Sequence, residues 1–495
     1  MISFNIKSLI KVDYLLLLLA MGLAFYIAFI PHQHYPYPLH VDEWVHLANS
    51  QAMLQAGDTS YVDPFYGGET IGPGSNLEAS FQLFWGIFQS ISGLPWVTIY
   101  RYFPGVILML TVLAVYILAR REGFGWEASF FTALIPTTVG ILGPGFLVPA
   151  TLGLLFTPLI IFLAFNLSTV WSYLLIFVLT SFLLAIHAPS AIYPILILAP
   201  YILLNLRGNF KHSLGLALAL ALPFLIVFPW IFDLLVPTFK GLLVSHPPTE
   251  YVQLPRVIET YGYLPTLFCL LGTFLLARQG GRKNYGLVLG LLVLLLMLVT
   301  FYTFHHGVSI VYERGLLYLM LMMSLVAGAG LAGVKNLKLP ARLSHRLKVP
   351  IINRYLGRFL CLALIGVTLA VTVPAHHNTP YYYMIDSEDY QAFIWIKDNL
   401  SQDYDKAVLD PLKATAFTAI TGRKVYTRIH AYPTAKDNEA YDFLAGGSSN
   451  TTFLRANGIS IIYTRVFEGR PDRQVEYESH NTDLVPVARN IYLLR

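Results

Sequence analysis

This chain of 495 residues has little charge, 12% of its residues, where a soluble domain carries about a quarter. A soluble enzyme or a nucleic-acid binder of this size is thereby excluded. The formal charge of +5 is small, and no basic block is interleaved with aromatics as a nucleic-acid surface would need. Only two cysteines occur, Cys269 and Cys361, both inside apolar runs, so no disulfide framework is expected. There is no tandem repeat. No Gly-rich loop opens a strand–helix unit, which leaves no cradle for a nucleotide diphosphate. The His and acidic residues show no four-ligand metal spacing. The long first apolar run, Tyr14 to Ile30, is followed by no A-x-A site, so it reads as an anchor and not as a cleaved leader.

What the chain does have is apolar length, with 56% hydrophobic residues. Runs long enough to cross a bilayer recur from Tyr14 to Pro374, so the fold class is a polytopic α-helical membrane protein. Eleven spans are expected, near 13–31, 97–119, 128–147, 149–166, 171–187, 189–206, 213–235, 262–278, 285–303, 314–334 and 358–374. Lys7 and Lys11, Arg120-Arg121, Arg207 and Lys211, Arg278 and Arg282, and the basic segment Lys335 to Arg358 fall in alternate connections. The positive-inside rule then puts the N-terminus in the cytoplasm and residues 375–495 outside. The closely spaced pair 128–166, broken by Gly143-Pro144-Gly145 and Pro149, is the point on which this parity depends.

Two polar regions stand out. Residues 32–96 form a long first external loop. It opens on His40-Val41-Asp42-Glu43-Trp44, continues as an amphipathic helix to Gln55, passes turn-rich sequence (Gly67-Gly68, then Gly72-Pro73-Gly74-Ser75-Asn76), and ends in a short apolar run from Phe81 to Leu94, read as interfacial. After residue 375 charges become frequent. A helix capped by Asp386 or Ser387 runs to Leu400; strands are expected at Ala407–Leu409, Lys424–Tyr426, Ile459–Tyr463 and Val485–Leu494, with helices at Thr415–Thr421, Ala440–Ala445 and Thr451–Asn457. The expected organisation is a transmembrane domain, 1–375, with the loop 32–96, and an extracytoplasmic α/β domain, 376–495.

Asp42 and Glu43 are the prime chemical candidates, because the spans hold almost no other ionisable residue in their interiors. A paired carboxylate at the lipid–water boundary suits a general base; the competing role is an N-cap of the helix that follows. Arg314, in Tyr312-Glu313-Arg314-Gly315 at the start of an expected span, is costly at that depth unless paired. It suits a phosphate, or a structural pair with Glu313. His305 and His306 in the same loop, and Arg256 and Lys240 in loop 236–261, are further phosphate contacts. His187 at a tight turn, His40 beside the acidic pair, Glu69 in the Gly-rich loop and Tyr312 are candidate substrate contacts. No metal set is assigned, although His40, His46, Asp42 and Glu43 contain ligand types. Ionisable residues within the spans sit at their ends, which disfavours a secondary transporter.

On this order of parts, with Asp42-Glu43 opening the first external loop and Tyr381 to Leu400 leading into an external domain, the chain resembles the GT-C class of membrane glycosyltransferases. It resembles in particular the branch of dolichyl-phosphate-mannose and aminoarabinose transferases. The resemblance implies a polyprenyl-phosphate-sugar donor, a glycan, lipid or protein acceptor, the bilayer as environment, and Asp42 as base. It implies no cofactor, a divalent metal being the exception met with diphosphate donors. The Trp-Trp-Asp motif of the oligosaccharyltransferase branch is absent from residues 375–495. That departure points away from protein N-glycosylation and toward transfer of a single sugar. A lipid-linked glycan flippase, or a non-catalytic scaffold for glycan assembly, is the alternative that needs neither Asp42 nor Arg314.

Overall fold

The computed structural model describes residues 6–72, 76, 78–138, 143–241, 252–338, 350–381, 383–429, 433–467 and 473–495. For 6–11, 230, 231, 233–241 and 350–354 it describes the backbone alone. Pro73 to Ser75, the Lys240 side chain, most of the loop after it and the middle of the basic segment 335–358 lie outside the described residues.

In chain order, α1 (Ile6–Phe29) leads into α2 (Val41–Ala56), a small hairpin of β1 (Tyr61–Val62) and β2 (Thr70–Ile71), and α3 (Ala79–Ser92). There follow α4 (Trp96–Arg120), α5 (Gly125–Ala133), α6 (Pro149–Asn166), α7 (Val170–Ile186), α8 (Ala188–Asn205), α9 (Phe210–Gly241), α10 (Arg256–Tyr261), α11 (Tyr263–Gln279), α12 (Arg282–Phe304), α13 (Ser309–Lys335) and α14 (Pro350–His377). The C-terminal part holds α15 (Ser387–Asn399), β3 (Lys406–Val408), α16 (Ala414–Thr421), β4 (Lys424–Val425), α17 (Ala435–Ala445), α18 (Thr451–Ala456), β5 (Ile461–Tyr463), β6 (Arg465–Phe467), β7 (Gln474–Glu476), β8 (Leu484–Ala488) and β9 (Ile491–Leu494).

Among the described residues eight helices are long and apolar enough to cross a membrane, and the chain is a multi-pass membrane protein. α7 and α11, each of 17 residues, stand where two further spans are expected. The expected span at 128–147 is not formed. α5 has only nine residues and stops at Ala133. Pro136 explains the stop, since it has no N–H and its ring would strike the carbonyl of residue 132 in a continuing helix.

The chain divides into two compact units. Unit 1 is Met1–Gln33 with Tyr102–Thr379, and unit 2 is His34–Arg101 with Pro380–Arg495. In unit 1, α13 is buried along nearly its whole length, between α11, α12 and α5. Glycines permit that approach. A Cβ on Gly272 of α11 would meet the Val326 carbonyl, and one on Gly330 of α13 would meet the Phe268 carbonyl. Close backbone contact of this kind is how helices gain packing in a bilayer, where lipid supplies no hydrophobic drive between them.

Unit 2 joins the first loop to the C-terminal segment. Its sheet has the order β4-β3-β5-β9-β8, with β3, β4 and β5 parallel and β9 and β8 antiparallel to their neighbours. The expected single strand 485–494 is a hairpin instead, turning at Arg489-Asn490, where Asn490 takes φ 60°. Asn tolerates this left-handed conformation better than most residues. The pair β6 and β7 has no counterpart in the sequence reading. The parallel strands are joined through α16 and through α17–α18, which makes this region an α/β layer. α2 packs on α3 and on α16, and Trp44, Phe65 and Phe81 are each at most 1% exposed. Burying an aromatic side chain of this size contributes about 1.5–3 kcal/mol. The backbone N–H of Val425 in β4 donates to the Phe65 carbonyl, so the first loop covers that edge of the sheet.

Candidate functional site

The acidic pair is built by the start of α2. His40 is extended (φ −118°, ψ 155°) and is the N-cap; its Nδ1 accepts the backbone N–H of Asp42 at 3.2 Å. Glu43, at the third helical position, reaches back. Its Oε2 accepts the N–H of Leu39 at 2.6 Å and that of His40 at 3.2 Å. This is a capping box with His in the place usually held by Ser or Thr. Glu43 is 0% exposed, a position a carboxylate holds only when bonded and favourably placed, here by two N–H groups and the positive end of the helix. Asp42 is therefore not the cap. Its side chain keeps 33% of its exposure, accepts no hydrogen bond from a described residue, and has His40 Nδ1 at 3.6 Å.

The stretch before the box is clamped within unit 2. The Tyr35 hydroxyl donates to the Ile385 carbonyl at 2.8 Å, its ring stacks on Tyr383 at 4.1 Å, and Tyr37 stacks on Tyr390 at 4.5 Å. Burial raises the pKa of the Tyr35 phenol well above its ordinary value, and the charges of Asp389 and Glu43 add to that. Behind the box, buried His46 lies edge-on to Phe81 at 4.9 Å, with Gln82 Nε2 at 3.4 Å from Nδ1 and Glu78 at 3.9 Å from Nε2. His46 thus ties α2 to α3. Glu69 is exposed in the β1–β2 connection, where its carbonyl accepts the N–H of Asp63 at 3.0 Å.

The other candidates lie in unit 1. His187 ends α7 and precedes α8, is 3% exposed, and has Nδ1 2.7 Å from the Ser190 hydroxyl. One further turn along α8, Tyr193 stacks on Tyr318 of α13 at 3.9 Å, and its hydroxyl donates to the Val311 carbonyl at 2.5 Å. Tyr318 is four residues after Arg314, so the two share a face of α13. Arg314 is half-buried, and its Nε has no hydrogen-bond partner among the described residues. α8 and α13 thus bring His187, Ser190, Tyr193, Tyr318 and Arg314 into one polar seam of an apolar bundle. Ser190, Tyr193 and Tyr318 are each 0% exposed, so within this seam it is the half-buried guanidinium that keeps surface with which to meet an anion. Ser190, Tyr193 and Tyr318 were not singled out from sequence. Helical spacing from His187 and from Arg314 was the available signal.

The remaining residues are more peripheral. Tyr312 is buried, stacked on Phe301 at 4.5 Å, and its hydroxyl donates to the Val252 carbonyl at 2.7 Å. His305 closes α12 in a left-handed conformation (φ 56°), with its N–H on the Phe301 carbonyl. His306 and Arg256 are exposed. Among the described residues no three His, Cys, Asp or Glu side chains converge as metal ligands would.

No family model matches the chain, and no curated protein does. Solved structures do. The archaeal oligosaccharyltransferase AglB from Archaeoglobus fulgidus, in complex with an inhibitory peptide and a dolichol-phosphate, aligns over 92% of this chain and 69% of its own, with a TM-score of 0.62 at 12% identity. ArnT from Cupriavidus metallidurans bound to undecaprenyl phosphate aligns over 90% of this chain and 95% of its own (TM-score 0.51, 14% identity). The same protein in the apo state aligns over 98% of each chain (TM-score 0.52, 13% identity). The chain has the GT-C fold. At these identities the likeness is one of architecture, and in this GT-C chain the acidic pair opens α2 while the Arg314 seam lies in the helical bundle.

Proposed function

We propose that this GT-C chain is a glycosyltransferase that moves a single sugar from a polyprenyl-phosphate donor to a glycan, lipid or protein acceptor on the external membrane face. The observation that carries the reading is the division of labour at the start of α2. Glu43 satisfies the backbone N–H groups, and Asp42 is left half-exposed with no hydrogen bond to its carboxylate from a described residue. A carboxylate kept out of the local bonding can take a proton.

In the step proposed, Asp42 accepts the proton of an acceptor hydroxyl as that oxygen attacks the anomeric carbon. The bond from that carbon to the phosphate oxygen breaks, and polyprenyl phosphate leaves with the negative charge. Arg314 meets that charge, which grows toward the transition state, so its contribution acts on rate. His187 and Ser190, buried and bonded to each other at 2.7 Å, fix the start of α8 in the Arg314 seam. Two solved structures of the same fold, AglB and ArnT, carry a dolichol-phosphate and undecaprenyl phosphate, which supports a lipid-phosphate substrate. The missing Trp-Trp-Asp motif supports single-sugar transfer over oligosaccharide transfer.

The test is turnover in detergent or vesicles with two donor classes. A short-chain polyprenyl-phosphate sugar is expected to work, since each buried CH₂ contributes about 0.8 kcal/mol and the first isoprene units dominate. A nucleotide sugar is expected to fail. Efficient use of the nucleotide sugar, with no response to the lipid-linked one, overturns the reading. Movement of lipid-linked sugar across the bilayer without transfer would assign the flippase reading instead.

A further inference from the structure

Unit 2 carries a groove of mixed polar and apolar lining that neither the proton transfer nor the phosphate seam uses. It follows α2 beyond its first turns: Gln51 lies roughly 14 Å along the helix axis from Asp42. Two cavities, of about 330 and 370 Å³, share Gln51, Gln55 and Gly422 and so form one trough. Gln89, Trp96 and Lys397 bound one end, and Thr418 stands in the other.

Lys424 is ion-paired with Asp405 and Asp63 Oδ1 accepts the N–H of Phe65, but other polar groups in the trough are unengaged. Neither Gln51 nor Gln55 makes a hydrogen bond through its amide to a described residue, and Lys397 has no ion pair among them. Gln89 donates to the Leu94 carbonyl at 3.4 Å, which leaves its amide oxygen to accept. Thr418 is 2% exposed, yet its hydroxyl has no partner among the described residues. A buried hydroxyl left unpaired is costly, so a molecule that supplied a partner would be favoured.

The chemistry of the lining selects the ligand. A primary amide offers donor and acceptor side by side, which matches adjacent hydroxyls on a sugar ring. An indole offers a flat apolar face for the C–H side of such a ring. The small side chains Ala48 and Ala52 leave a low wall between them. Of its two lysines Lys424 is ion-paired with Asp405 at 2.8 Å, and Asp63 adds a carboxylate, which leaves too little positive charge to select a nucleotide or a phosphate-rich ligand. A peptide joining the sheet is not offered an edge, because Val425 of β4 is already bonded by the Phe65 carbonyl. We propose that this groove binds an oligosaccharide, the part of an acceptor glycan that lies beyond the hydroxyl being glycosylated. Assigning the glycan to the acceptor rests on the transferase reading above; carbohydrate binding itself does not.

The test uses the full chain purified in a sugar-free detergent and applied to an array of linear oligosaccharides of roughly three to six units. At least one is expected to bind. The Gln51→Ala/Gln55→Ala double variant should weaken it by tenfold or more at an unchanged melting temperature. Gln55→Arg, at an exposed helix position, should block the trough without touching the core. Trp96→Phe should bind more weakly than wild type. Binding to no glycan, binding only to peptide probes, or binding unaffected by the Gln variants each overturns the proposal. The two readings separate cleanly: glycan binding lost in the Gln variants while no lipid-linked donor is turned over keeps the groove and removes the transferase. Turnover with no glycan bound does the reverse.

Discussion

His40 Nδ1 lies 3.2 Å from the backbone nitrogen of Asp42 and 3.6 Å from that residue's carboxylate. Because Nδ1 accepts the backbone N–H, it carries no proton in this arrangement, and the neutral imidazole holds its hydrogen on Nε2. The contact with the Asp42 carboxylate is then one of two acceptors side by side and not an ion pair. No described residue donates a hydrogen bond to the Asp42 carboxylate, while His40 and Glu43 hold the backbone around it.

Three substitutions separate these roles. Asp42→Asn is nearly isosteric and removes the proton acceptor, so turnover should fall by about 10²-fold or more with stability retained. Glu43→Gln should cost less in turnover and show instead in the melting temperature. Loss of a cap costs about 0.5–2 kcal/mol. His40→Asn keeps a good N-cap while removing the imidazole, so it should fold as wild type and report on Nε2 alone. Turnover in Asp42→Asn within about threefold of wild type, at matched protein level, would leave Asp42 as a helix-start residue only.

Arg314 is expected to act on the leaving phosphate. Arg314→Ala should weaken donor binding and slow transfer by about 2–4 kcal/mol in all, the size of losing one preorganised electrostatic partner. Arg314→Lys should recover part, because a point charge replaces the planar fork. The readout is kcat and KM for the lipid-linked donor, beside a thermal melt. An Arg314→Ala protein that is unfolded or degraded would favour the pairing with Glu313 instead.

An ion pair in unit 2, between the cap of α15 and β6, has a definite pH signature. Asp386 caps α15 through the N–H groups of Glu388 and Asp389 and receives the Arg465 fork at 2.8 and 2.6 Å. Burial raises its pKa, but Arg465 and the backbone donors outweigh that, and the net shift is downward. A carboxyl whose folded-state pKa is depressed adds stability above its unfolded pKa, about 3.9, and loses it as pH falls through the folded value. Melting of unit 2 should therefore fall as pH is lowered from about 5 to about 3. Asp386→Asn keeps a good N-cap and should flatten that part of the profile; an unchanged profile would remove the ion pair from the account.

Local features were the ones legible from sequence. Apolar length located most of the helices of unit 1, and Asp386 announced the start of α15. The stop at Ala133 is hidden because Pro136 sits within a continuous apolar run, although it forbids the helix from continuing. The β8–β9 hairpin reads as one strand because Arg489-Asn490 is a weak turn pair compared with Asn-Gly. β6 and β7 are three residues each and owe their pairing to partners in three dimensions. At the site, the pattern His40-x-x-Glu43 has the spacing of a capping box, hidden by His in the cap position. The Tyr193–Tyr318 stack joins residues 125 positions apart, and no pattern within either helix shows that they meet.

The remaining prediction is topology, because the chemistry proposed requires the base and the lipid phosphate to be reachable from one face. Basic residues at Arg121 and Arg282 lie in connections that the charge rule keeps in the cytoplasm, and Gly68 and Arg495 belong to unit 2, which holds Asp42. The shortness of α5 makes this a real test. With no span at 128–147, the parity of the following connections depends on how residues 125–148 return the chain. Single-cysteine variants labelled with a membrane-impermeant maleimide should react at Gly68→Cys and Arg495→Cys in intact cells. Arg121→Cys and Arg282→Cys should react only after permeabilisation. Labelling at Arg282→Cys from outside, with Gly68→Cys also outside, would mean that the chain inverts between them. The orientation and the single-face mechanism would then both fall.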